Sequence, residues 1–215
     1  MSDKPLILGA VLYEGFELLD MFGPLEMFTA LPPDLLQVVM IAETAGSVTA
    51  GSMAGNNMPT FIADYGYDDA PQLDLILLPG GVGTIPELEN EKTLSFLKAR
   101  ASEAQITSSV CSGSALLAKA GLLDGKKATS NKMFFSLATA QSDKVNWQEQ
   151  ARWVDDDDVV TSSGVSAGID MSLAIIARLF GQEVADRVAI GAEYTWHRDA
   201  DTDPFTQYLN DGAST

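Results

Sequence analysis

Ile106-Thr-Ser-Ser-Val-Cys-Ser-Gly-Ser114 carries a short strand-forming run directly into a helix-forming one, and the join falls on Cys111. Ile106 to Val110 reads as a buried strand, and Ser112 to Ala120 as a helix that Gly121 stops. A strand that passes straight into a helix puts the residue at the join on a sharp turn, its side chain above the sheet edge. This is the mechanical principle of a nucleophile elbow. Gly113 removes a side chain where strand and helix must approach closely. The helix N-terminus offers free N–H groups and partial positive charge, which favour a thiolate. The Ser112 N–H is placed to meet an oxyanion formed on a substrate attacked by the sulfur. The plainer alternative is a buried, inert thiol, because unpaired cysteines are among the most buried residues. The elbow context favours a reactive Cys111.

The elements on either side have the same rhythm. Pro5 to Tyr13 and Leu73 to Leu78 are continuously apolar, as strands covered on both faces of a parallel sheet are. Leu35 to Ala42 is a further strand. Phe16 to Leu31 reads as a helix that Gly23-Pro24 should kink or divide. Thr49, Ser52, Met53, Met58 and Phe61 suggest short edge strands or a small ribbon. A helix is expected from Pro86 to Ala101, and a short strand from Lys127 to Ser130 leading into a helix that ends near Leu137. Residues 152–154 and 159–161 flank Asp155 to Asp158 as a hairpin around a solvated turn. Helices at Ala167 to Phe180 and Gln182 to Gly191 precede a loop-like tail, which Trp196 and Phe205 should pin to the body. Alternating strands and helices imply an α/β protein with a mainly parallel sheet, whose ligands bind beyond the carboxyl ends of the strands.

Two further segments point to that edge. Leu77-Leu-Pro-Gly-Gly-Val-Gly83 follows a buried strand, and its N–H groups can line the same crevice. It has neither dinucleotide-fingerprint spacing nor a phosphate-loop lysine. Asp20 stands between Leu18-Leu19 and Met21-Phe22, where burial is costly unless the carboxyl is paired. Taken alone, the residues lean slightly toward a surface or capping carboxylate.

Composition narrows the partners. A formal charge of −17 over 215 residues, with a pI near 4.1, repels phosphate backbones and anionic membrane surfaces. One cysteine and one histidine cannot form an intrachain disulfide or a zinc site. No apolar run has membrane-spanning length and the N-terminus lacks a signal-peptide layout, so a cytoplasmic location without metal is expected. The reading is a single domain over 1–215, with its core at about 5–192 and an acidic tail over 193–215. His197, in Tyr194-Thr-Trp-His-Arg-Asp199, is read first as a packing or surface residue that could also reach a site.

Four stretches together resemble the ThiJ/PfpI superfamily, which is related to class I glutamine amidotransferase domains. They are Tyr13-Glu-Gly-Phe-Glu-Leu-Leu-Asp-Met-Phe-Gly-Pro-Leu-Glu26, Leu77 to Gly81, Ser109-Val-Cys-Ser-Gly113 and Thr161-Ser-Ser-Gly-Val-Ser-Ala-Gly-Ile-Asp170. The resemblance extends to about Ala192. It implies a flavodoxin-like three-layer sandwich, a homodimer and no cofactor. It makes Cys111 the nucleophile, Asp20 the carboxylate that hydrogen-bonds it, and the Gly81 and Ser112 N–H groups the oxyanion positions. Gly80, Asn131, Met133 and residues 161–166 are expected to line the substrate pocket.

Asp in place of the more widespread Glu, in Leu19-Asp-Met-Phe-Gly-Pro24, resembles the isonitrile hydratase branch. Peptidase-like members have His after the cysteine, where Ser112 stands here. A second family His is replaced by Asn131, so no Cys–His dyad forms and proteolysis is disfavoured. Isonitrile hydratases usually have Thr after the cysteine, and Ser112 keeps the hydroxyl. The expected activity is hydration of an isocyanide, a small electrophile, to an N-substituted formamide. The alternatives are glyoxalase-type hydration of a 2-oxoaldehyde, and a non-catalytic domain that senses a small molecule or oxidation at Cys111.

Overall fold

The computed structural model describes residues 4–51 and 58–214. Ser52 and Met53 of the expected ribbon lie outside the described residues. Leu6–Val11 (β1) forms the strand that its apolar run demands, with its last four residues buried. It pairs in parallel with Leu36–Ile41 (β2) on one side and Leu75–Leu78 (β5) on the other. Ile106–Ser109 (β6) lies beside β5, and Val159–Ser162 (β10) beside β6, both in parallel. Trp153–Asp156 (β9) closes that edge antiparallel to β10, through a turn at Asp157 with φ 66°. The sheet order is β2-β1-β5-β6-β10-β9. β5 and β6 are central, and all their residues are buried.

The ribbon is Gly46–Thr49 (β3) paired antiparallel with Thr60–Ala63 (β4). Lys127–Ala128 (β7) makes only a two-residue parallel pair with Asn146–Trp147 (β8), shorter than the expected strand to Ser130. Leu18–Thr29 (α1) is one continuous helix with Pro24 inside it, so of the kink or division expected at Gly23-Pro24 the division does not occur. Packing overrides the local signal. A Cβ on Gly23 would come within 2.8 Å of the Ile169 side chain, so the glycine marks a close helix–helix approach. The helix expected from Pro86 to Ala101 is two helices, Thr84–Glu87 (α2) and Glu91–Ala101 (α3). The Asn90 side chain accepts from the N–H groups of Lys92 and Thr93 and so starts the second.

The remaining helices are Gly113–Lys119 (α4), Phe135–Thr139 (α5), Ala167–Phe180 (α6) and Gln182–Gly191 (α7). α1 packs on α6 and α6 on α7, while α2, α3 and α5 each pack on α4. These groups form the layers over the sheet, giving the expected flavodoxin-like sandwich. One buried cluster runs from Leu8 on β1 to Ala189 on α7. Among the described residues no helix is long and apolar enough to cross a membrane.

The C-terminal segment is more structured than a loop. It contains 3-10 turns at Thr206–Tyr208 and Asp211–Ser214. Its backbone is fastened by bonds from Arg152 N to Ala200 O (2.7 Å), Asp203 N to Gln150 O (2.7 Å) and Asn210 N to Lys132 O (2.8 Å).

Candidate active site

Cys111 occupies the join between β6 and α4 in the left-handed region, at φ 59°. For a residue with a Cβ this conformation costs about 1–3 kcal/mol and persists only where the surroundings enforce it. The enforcement is visible. Cys111 N donates to Ser163 O (3.1 Å), and Cys111 O accepts from the hydroxyls of Ser114 and Ser130 (3.1 Å each). Gly113 is required next to it, because a Cβ there would lie 2.6 Å from Pro79 O and 2.7 Å from Leu78 O.

The sulfur sits among donors. Asn131 Nδ2 donates to Cys111 Sγ at 3.1 Å, with the amide oriented by Phe134 N donating to its Oδ1 (3.0 Å). The N–H groups of Ser112 and Val165 also support the sulfur. Val165 holds φ 47° to present its own. The thiol was expected to be easily ionised at a helix N-terminus. Instead its pKa is pushed well above the usual thiol value, first by burial and then by the Asp20 carboxylate. Desolvation of a sulfur in a residue 7% exposed outweighs the donors.

Asp20, in the first turn of α1, is wholly buried, contrary to the slight lean toward a surface carboxylate. Its Oδ2 accepts from Gly80 N at 2.8 Å. Its Oδ1 has no partner of regular geometry among the described residues, and the Cys111 thiol is within reach of the carboxyl. Burial lifts its pKa to about 7, with the Gly80 N–H opposing and the Glu17 charge adding to the rise. Acid and thiol therefore resist ionising together, and they titrate as a pair.

Two expected roles change. Gly80 was expected to line the substrate pocket. Its N–H is committed to Asp20, and a Cβ on it would lie 2.5 Å from both Ser112 N and Ser112 Oγ. It is a spacer between acid and elbow. The Gly81 N–H, expected to serve an oxyanion, donates to Ser112 Oγ at 3.1 Å. That hydroxyl also pairs with Thr84 Oγ1 (2.9 Å), and Thr84 with Tyr13 Oη (3.0 Å), in a buried chain behind the elbow. A substrate atom must displace the Ser112 hydroxyl to use the Gly81 donor.

A hollow of about 230 Å³ opens between Asn131, Met133, the 163–166 turn, Phe205 and Tyr208; Cys111 is not in its lining, but Asn131 and Val165, which donate to the sulfur, are. Thr161 and Ser162, expected in this wall, are buried in β10 instead. Thr161 Oγ1 accepts from Thr129 N at 2.8 Å. A larger hollow, about 470 Å³, lies between α1 and α7 and is lined by none of these residues.

The tail is pinned differently from the expectation. Trp196 packs against the core, but Phe205 is 51% exposed. The anchor is a buried ion cluster that no segment of sequence announces. Arg152 Nε and Nη2 both lie 2.7 Å from Asp170 Oδ2, and Nη1 lies 3.8 Å from Asp203 Oδ1. Asp170 Oδ1 accepts from Tyr194 Oη (3.0 Å) and His197 N (2.9 Å). His197 is thus fixed by its backbone to this cluster, with its Nε2 beside Thr202 O (3.2 Å), and its packing reading holds. Lys132 is also buried, its ammonium bonded to Thr129 Oγ1 (2.8 Å) and Ala151 O (2.6 Å). Burial lowers its pKa to about 8.

A family model described as the DJ-1/PfpI family matches residues 7–178. The chain is 34% identical over 194 residues to isonitrile hydratase of Pseudomonas putida, covering 88% of this chain and 78% of that protein. It is 30% identical over 168 residues to deglycase TK1284 of Thermococcus kodakarensis, covering 76% and 89%. A crystal structure of a ThiJ/PfpI family protein from Pseudomonas syringae superimposes with a TM-score of 0.77 at 31% identity, over 95% of this chain and 78% of that one.

Proposed function

The chain belongs to the DJ-1/PfpI family, and from that premise we propose that it is a cysteine-dependent hydro-lyase that adds water to an isocyanide, giving an N-substituted formamide. The observation that carries this reading is the buried carboxyl of Asp20 set against Cys111, with a pKa lifted to about 7 by burial. Such an acid can give and take a proton near neutrality. The similarity to isonitrile hydratase over 88% of the chain supports it.

In the first half-reaction the thiol proton passes to the Asp20 carboxylate as the sulfur bonds to the terminal isocyanide carbon. Asp20 then delivers that proton to the same carbon, leaving a thioimidate, Cys111–S–CH=N–R. In the second, Asp20 takes a proton from water as hydroxide bonds to the thioimidate carbon, and the nitrogen gains that proton. Collapse of the adduct breaks the C–S bond, releases the formamide and returns the hydroxyl proton to the sulfur through Asp20. The amide of Asn131 and the N–H groups of Ser112 and Val165 stabilise the sulfur while it carries charge.

The same pair could act on a 2-oxoaldehyde through a hemithioacetal, a second reading that the similarity to a deglycase favours. The test is formamide production from alkyl isocyanides by the wild type, Cys111→Ala and Asp20→Asn. Turnover lost in both variants supports the hydratase. Turnover of methylglyoxal alone, dependent on Cys111, transfers the assignment to the second reading.

A further inference from the structure

Phe205 and Tyr208 present large apolar surface to solvent, 51% and 45% exposed, yet they stand as one wall of the hollow beside Asn131. Their rings are 6.5 Å apart and tilted by 33°. They are held in place. Phe205 N donates to Asp203 Oδ1 (2.9 Å), and Asp203 is drawn toward the buried Arg152. Beyond them, Asn210 N donates to Lys132 O (2.8 Å), and Asn210 Oδ1 accepts from Ser136 N (2.7 Å). Met133 and Val165 supply the facing apolar side chains. Among the described residues no carboxylate lines the hollow. The one ammonium in its wall, that of Lys132, is buried and already bonded to Thr129 and Ala151. A charged substituent entering here would lose water and find no free group of opposite charge, only the hydroxyls of Ser163, Ser166 and Tyr208. An aromatic or bulky aliphatic one would meet Met133 and two rings.

We infer that Phe205 and Tyr208 form a specificity wall that selects a neutral apolar N-substituent on the substrate, such as a benzyl group, and disfavours small or anionic ones. The inference rests on the hydratase reading for the nature of the reacting end, while the wall itself can be tested by binding. The hollow, at about 230 Å³, has room for a single ring but little beyond it.

The experiment uses the full-length chain and its Phe205→Ala and Tyr208→Ala variants. Calorimetry measures binding of N-benzylformamide and of N-formylglycine to each. The expected result is that N-benzylformamide binds the wild type at least tenfold more tightly than N-formylglycine, and that each variant loses about tenfold in affinity for it, as when an apolar pocket contact is removed. In turnover, the wild type should prefer benzyl over methyl isocyanide in kcat/KM, and the variants should lose that preference. Equal affinity of wild type and both variants for N-benzylformamide would overturn the inference. Absence of any isocyanide turnover with the binding contrast intact would sink the hydratase reading and leave the apolar wall supported. Both side chains are about half exposed, so the variants should fold. Met133→Glu, on the facing wall, is a second probe and should weaken N-benzylformamide binding without truncating either ring.

Discussion

The Asn131 amide donates to the Cys111 sulfur across 3.1 Å from a position 20 residues further along the chain. Its own oxygen is occupied by Phe134 N, so the amide cannot turn away. Asn131→Ala should slow hydration by about 10- to 100-fold, the effect of losing one hydrogen bond to a charged group. Asn131→Asp should be worse, because it sets a carboxylate against the sulfur. Alkylation by iodoacetamide across pH provides a reading independent of substrate. The thiol's apparent pKa should rise from wild type to Asn131→Ala and again to Asn131→Asp. An unmoved titration would mean that the amide does not support the thiolate.

Asp20 gives stability a defined pH dependence. Its native pKa, about 7, lies above the ordinary 3.8, so the native state keeps a proton that the unfolded chain has already released between those values. Stability from this group is therefore full below about pH 4 and is lost as pH rises to about 7. Asp20→Asn removes the effect while keeping an acceptor for Gly80 N. Urea unfolding at pH 5 and pH 8 should show the variant gaining on the wild type at the higher pH, by on the order of 2 kcal/mol. No relative gain would mean that the carboxyl ionises in the native state as readily as in water.

The elbow has no room at Gly113. An alanine there meets two backbone carbonyl oxygens that cannot rotate aside. Gly113→Ala should cost about 1–3 kcal/mol or more by overpacking, and should alter Cys111 alkylation as well. Gly191→Ala, with nothing within 4 Å of the added carbon, is the control and should shift the urea midpoint little.

Arg152 connects two buried carboxylates, Asp170 and Asp203. Arg152→Met leaves both without their cation and should destabilise by about 3–5 kcal/mol. Adding Asp170→Leu should recover part of this loss, because the uncompensated charge is removed. The recovery should be incomplete, since Tyr194 and His197 N then lose their acceptor. Urea unfolding of the wild type, Arg152→Met, Asp170→Leu and the double variant gives the coupling directly.

What the sequence made legible follows from how local each signal is. Leu75–Leu78 announces a central strand because burial on both faces leaves an unbroken apolar run. The Cys111 elbow is legible because strand, turn and helix are adjacent in the chain. Asp20 was harder. The residue that completes its burial, Gly80, lies 60 positions away, so its neighbours alone could not distinguish a buried acid from a surface one. The thiol's raised pKa was hidden for a related reason, since the helix terminus is visible in sequence and the depth of desolvation is not. Arg152, Asp170 and Asp203 come from a strand edge, a helix and the tail. The neighbours of each in the chain give no sign of the other two. Gly23-Pro24 signals a kink or a division from its own residues, but not the close approach to Ile169 on another helix, where α1 runs on undivided.

Phe205 and Tyr208 lie beyond residue 178, where the match to the family model stops. The acid, the thiol and the amide all lie before it. On the proposed function, the groups that react and the rings that select are therefore separate along the chain. Substitutions in that short terminal stretch would then change what is admitted without touching Asp20, Cys111 or Asn131. On the proposed wall, exchanging that stretch between relatives becomes a route to new substrate preferences provided Asp203, which meets the buried Arg152, is kept.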